Sequence, residues 1–168
     1  MKRFAGAFIS VAAVVLFTTP AAAADANGNH ESYKWVTAGD TAMAPDGSTI
    51  KLTGHGVLTA GPDKAISGGG TFTTSGGASG TWSATAVDGF VSYGLAGPEP
   101  FPLPPGAAGG MAKLNVSLSD GESGVLTIFC VLGTPPPSVM EGIHVVLGSG
   151  ASGEYNTIVS GNTIFIAV

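Results

Sequence analysis

The side chains able to do chemistry are few and far apart in this chain. His30, His55 and His144 are the only histidines, and Cys130 is the only cysteine. No pair of histidines has the H-x-H or H-E-x-x-H spacing that brings imidazoles to one metal. A metal site would have to be assembled from distant strands. There is no C-x-x-C, P-loop or G-x-G-x-x-G, and Gly121-Glu122-Ser123-Gly124 reads as a tight turn rather than a G-x-S-x-G elbow. The Asp25, Asn27, Asn29, Glu31 alternation imitates a calcium loop, but its glycine falls too early and its last acid too soon for an EF-hand. The sequence predicts no cofactor and no metal, and it assigns no catalytic residue.

What remains is a set of candidate ligand-binding residues: Trp82, Phe90, Tyr93, His55 and His144. The three aromatics have the shape and polar edges to line a sugar- or lipid-binding surface, or else to fill a core. His144 sits among apolar neighbours in MEGIHVV, where a satisfied core histidine competes with a cavity base. Glu141 is three residues away, so on a strand it points to the opposite face and does not orient that imidazole. His55 is bracketed by Gly54 and Gly56, which predicts a bulge or the close approach of another backbone. Cys130, inside LTIFCVLG, reads as a buried inert thiol. Asp88-Gly89 reads as a bend.

The elements that must position these residues are strands. Of 168 residues 27 are Gly, 11 Pro and only 10% charged, while 44% are hydrophobic. That apolar content supports a packed core. Glycine and proline at this density would break helices but suit short strands joined by turns. No segment keeps helical periodicity for the ~11 residues of a typical helix.

Residues 1–24 read as a signal peptide. Lys2 and Arg3 are basic, Phe4 to Phe17 is apolar, Pro20 breaks the run, and Ala21–Ala24 offers an A-x-A cleavage site. Residues 25–168 then form a single β domain with no membrane span after cleavage, secreted or periplasmic. Loss of Lys2 and Arg3 takes the net charge from −5 to −7. The remaining bases are Lys34, Lys51, Lys64 and Lys113, with no arginine. Nucleic acid is excluded as a partner, because phosphate neutralisation needs clustered bases.

About ten short strands are expected. Tyr33–Thr37 is the first. In Thr49–Thr59, Ile50, Leu52 and Leu58 share one face and Lys51, Thr53 and His55 the other. Ser67–Gly94 contains a hairpin whose loop, at Ser75–Ser79, would pair Phe72 with Trp82 across the strands. Gly94–Gly110 is a Pro/Gly-rich loop. Gly124–Gly133 is nearly continuously apolar and reads as a central strand, and the Pro135–Pro137 tract caps it. A final hairpin around Gly161-Asn162 would set Val159 opposite Ile164 and Ile158 opposite Phe165. Turn signals at this spacing predict an all-β antiparallel sandwich or small closed barrel. An outer-membrane barrel is disfavoured because the strands look too short and the chain ends on Val168 rather than an aromatic.

The segments SGGGTF, SGTWSA, FVSYG, LTIFCVLG and the EGI…NTIFI ending resemble a family of small exported bacterial β-rich proteins. The resemblance implies export and a β fold, and no activity. Gly80-Thr81-Trp82 is also similar to the G-x-W of lipocalin and avidin-like barrels, but stands mid-chain rather than on the first strand. The leading expectation is an exported non-enzymatic β domain that binds a small ligand or an envelope partner. Two alternatives stand beside it. One is a small barrel enzyme, an isomerase or hydrolase pairing a cavity histidine with a carboxylate; the other is a structural or adhesive subunit joined through edge strands.

Overall fold

The computed structural model describes residues 31–98, 102–148 and 153–168. The expected leader at 1–24 and His30 lie outside the described residues. Ten strands follow one another: β1 Ser32–Met43, β2 Thr49–Thr59, β3 Ala65–Thr74, β4 Ser79–Leu95, β5 Ala107–Leu118, β6 Ser123–Cys130, β7 Gly142–Leu147, β8 Glu154–Tyr155, β9 Thr157–Ser160 and β10 Thr163–Ala167. Among the described residues there is no helix.

All ten belong to one antiparallel sheet, in the order β10-β1-β2-β3-β4-β5-β6-β7-β8, with β9 also on β1 and β10 also on β5. The sheet curls into a ring. At one end β10 bridges β1 and β5 directly; at the other the circuit passes through β6 and β7 before it meets β9 and β1 again. The all-β antiparallel expectation holds, as a single curled sheet.

Alternation sets the two faces, as expected for β2, where Ile50, Leu52 and Leu58 are buried and Lys51, Thr53 and His55 exposed. β6 lies between β5 and β7, so the apolar run is internal as expected. Several strands exceed expectation. β1 continues to Met43 past a bulge at Gly39, and β4 runs for 17 residues through three register shifts. Bulges bend and twist a long strand, which is how β4 follows the ring. Gly94, Leu95 and Ala107–Gly110 thus belong to strands, and the Pro-rich connection is shorter than Gly94–Gly110. Strand length therefore does not argue against a membrane barrel. The faces do, because the interior is apolar and the outward side of β2–β4 carries Lys51, Thr53, His55, Thr71 and Thr81. A transmembrane barrel has the reverse arrangement. Among the described residues no helix is long and apolar enough to cross a membrane.

Two register expectations are corrected. In the β3–β4 hairpin the loop is Thr74–Ala78, closed by Thr74 N–H to Ala78 O at 2.8 Å. Phe72 therefore faces Gly80, and Trp82 faces Gly70. Both rings still lie on the core face, 2% exposed each, but each stands opposite a glycine. Two large rings directly opposed would compete for one space.

The glycines also make room for a tryptophan stack. Trp35 and Trp82 lie 5.6 Å apart at 27°. A Cβ on Gly54 would come within 2.5 Å of Trp82 Cζ2, and one on Gly56 within 2.5 Å of Trp35 Cζ2. The β2–β3 register is unbroken, so the Gly-His-Gly sequence serves close approach and not a bulge.

The second correction concerns the C-terminus. β9 and β10 do not form a hairpin; both lie along β1, β9 at Thr41–Met43 and β10 at Tyr33–Thr37. They are two halves of one strand, broken at Ser160–Asn162 opposite the β1 bulge. Carboxylates hold the break. Asp40, fully buried, accepts the Asn162 N–H, and Glu141 accepts the Thr163 N–H at 3.1 Å. The Thr163 hydroxyl donates to Phe129 O at 2.5 Å, tying β10 to the end of β6.

Candidate binding cleft at the sheet seam

The ring is unzipped between β7 and β9. The β7–β8 ladder pairs Val146 with Glu154 and Val145 with Tyr155, and then stops. After Asn156 the chain leaves β7 and pairs with β1 as β9. The two strands remain in touch at Gly142, where a Cβ would sit 2.7 Å from Ile158 Cγ2. A side chain there would push β9 away.

In the fork lies a cleft of about 310 Å³, lined by Phe129, Ser138, Val139, Met140, His144, Asn156 and Ile158. Phe129 and His144 project from the outward faces of β6 and β7, and Ser138–Met140 comes from the loop before β7. The imidazole meets the Phe129 ring edge-on, 5.0 Å between centroids. Burial depresses the His144 pKa below its ordinary 6.5, with no charge or hydrogen bond opposing it. At neutral pH the ring is uncharged, with one nitrogen donating and the other accepting. An apolar floor with a few converging polar groups is the usual make-up of a small-molecule site. Here those groups are imidazole, carboxamide and hydroxyl.

The other sequence candidates lie elsewhere. Trp82 is core, its indole N–H donating to Thr53 O at 3.0 Å. Phe90 is half-buried between Tyr33, at 4.6 Å, and Phe165, at 5.3 Å. Tyr93 is half-buried near the end of β4, its phenol pKa raised by burial. His55 is exposed on the outside of β2, between Val36 and Gly69. The fold brings none of these four to His144. Sequence reasoning missed Ser138, Asn156 and Ile158. Asn156 carried a faint signal, as a polar break inside an otherwise strand-like GEYNTIVS.

Behind the cleft, Cys130 is fully buried and burial pushes its thiol pKa up, which fits an inert thiol. Asp88 occupies a β4 bulge and pairs with Lys113 at 2.7 Å. Among the described residues no group of three or more His, Cys, Asp and Glu could hold a metal ion.

Two further clefts occur where β4 and β5 meet the connection between them. One, about 300 Å³, is lined in part by Tyr33, Ser92, Leu95 and Val168. The other, about 410 Å³, is built from Leu95–Gly97 and Pro102–Ala107, flanking residues 99–101. Comparison with family models, with curated proteins and with solved structures returns no match, so the reading of this site rests on its own geometry.

Proposed function

We propose that this chain is an exported, non-enzymatic β domain that binds a small uncharged ligand in the seam cleft, in the envelope or outside the cell. The basic-apolar-Ala leader pattern of residues 1–24 supports export. One observation carries the binding reading: His144, Asn156 and Ser138 line one cleft together with the apolar Phe129, Val139, Met140 and Ile158. No lysine or carboxylate is among the lining residues, so the chemistry on offer is neutral hydrogen bonding plus apolar contact. A general base normally needs a partner to orient it. No carboxylate among the lining residues is placed to orient His144, which supports a binding role over an acid-base one.

A titration with 1-hexanol, followed by NMR, tests the proposal. Saturable shifts at Phe129, His144, Asn156 and Ile158 are expected. Affinity should fall as pH drops through the depressed His144 pKa, because a protonated imidazole must be desolvated beneath the ligand. Shifts that are unsaturable, or absent from these residues, would refute it.

A further inference from the structure

The cleft opens onto an apolar stripe whose position follows from strand register. Val91 of β4 pairs with Met111 of β5, Met111 with Phe129 of β6, and Phe129 with Gly142 of β7. Directly paired residues share a face, so these positions form one row across four strands, about 14 Å long at ordinary strand spacing. The row faces outward. Val91 is 49% exposed, Met111 and Phe129 are half-buried, and their neighbours Ala112 and Ile128 fill the core.

The β6–β7 loop walls one side of the row. Leu132 O would lie 1.7 Å from a Cβ on Gly109, and Thr134 N–H donates to Tyr93 O at 2.7 Å, so the loop runs across the sheet beside the row before returning through Ser138–Met140. On the other side the next row is Lys113, Thr127 and His144. At Gly142 the row ends against Ile158, and Phe129, its last side chain, lines the cleft as Ile158 does.

Resting on the cleft reading above, we infer that this groove takes the alkyl chain of a neutral single-chain amphiphile, its polar end held by Ser138, His144 and Asn156. Charge selects the head. No lysine or carboxylate is among the cleft's lining residues or in the row, and Lys113, in the row alongside, is paired with Asp88. An anionic or cationic head finds no counter-ion there. Main-chain chemistry selects the tail. Met111 and Phe129 are paired on both sides, and Val91 is paired with Met111 on one, the β3–β4 ladder covering only Ser79–Ser83 of β4. An extended peptide would lay its own amides on side chains that cannot bond them, whereas an alkyl chain brings none.

The test is a chain-length series, 1-hexanol, 1-octanol and 1-decanol, with decanoate and decyltrimethylammonium as charged controls. Full burial of a methylene tightens binding about fourfold, so a groove open along one side should give about twofold per methylene, about sixteenfold from six to ten carbons. Both charged controls should bind more weakly than decanol. Val91→Lys should flatten the series and leave hexanol affinity unchanged; Val91→Thr, gentler on an exposed strand position, should flatten it partly. A flat series in the native protein with hexanol still bound overturns the groove and spares the cleft. No binding of any alcohol overturns both. Stronger binding of decanoate, or of an extended Val/Leu peptide, refutes the neutral alkyl occupant. Dimerisation abolished by Val91→Lys would assign the stripe to a second copy and also refute it.

Discussion

Two tryptophans in one stack have unequal polar surroundings. Trp82 donates its indole N–H to Thr53 O, while the buried Trp35 N–H has no acceptor among the described residues. Replacing either ring by Phe removes similar volume, but Trp82→Phe also breaks a hydrogen bond and Trp35→Phe removes an unsatisfied donor. Urea unfolding should therefore show Trp35→Phe to be the less destabilising by about 1–2 kcal/mol. Equal losses would mean that packing alone sets the cost. Both indoles were legible as aromatic residues on strands, but their partners were not. The pairing of Trp82 with Gly70 depended on a loop starting at Thr74 rather than Ser75, a one-position choice that shifts every pair in the hairpin. The same limit applies to His144. Its apolar neighbourhood was visible in MEGIHVV, but Asn156 and Ser138 join its cleft from the β8–β9 junction and the loop before β7.

The closing strand shows the same logic one level up. A continuous β9–β10 strand along β1 is interrupted where β1 itself bulges, and Asp40 fills the irregularity with a carboxylate that has one oxygen bonded to Asn162 N–H and the other, among the described residues, unpartnered. Burial raises the Asp40 pKa above its ordinary 3.8, and the nearby Glu141 charge raises it further. The stability linked to this group is therefore fully present below pH 3.8, where folded and unfolded chains are both protonated. It is lost as pH rises, because the unfolded chain ionises first. Asp40→Asn keeps an acceptor for Asn162 and removes the charge. It should stabilise the protein at neutral pH by about 1–3 kcal/mol, a gain that shrinks toward zero as pH falls below 3.8. Thermal melts of both proteins across pH measure this; a loss of stability at neutral pH would mean that the ionised carboxylate is required at the junction. The Ser-Gly-Asn sequence looked like a hairpin turn because turn residues mark any sharp break, and nothing local distinguishes a reversal from a kink between two segments on the same neighbour.

For the molecule as a whole, the strand count and antiparallel class were legible because alternation and Gly/Pro punctuation report local geometry. How the sheet closes was not, because that depends on the last strand choosing β7, then β1, then β5, all distant in sequence. The same partner switching makes the cleft, since a β7–β9 ladder would occupy the fork that His144 lines. The account therefore stands or falls on what enters that fork. Intermolecular NOEs from 1-hexanol at saturation locate it directly. Contacts to the Phe129 ring, the His144 ring and the Ile158 methyls are predicted. Contacts to Tyr33, Leu95 and Ala108 instead would place the ligand beside the β4–β5 connection and contradict the account.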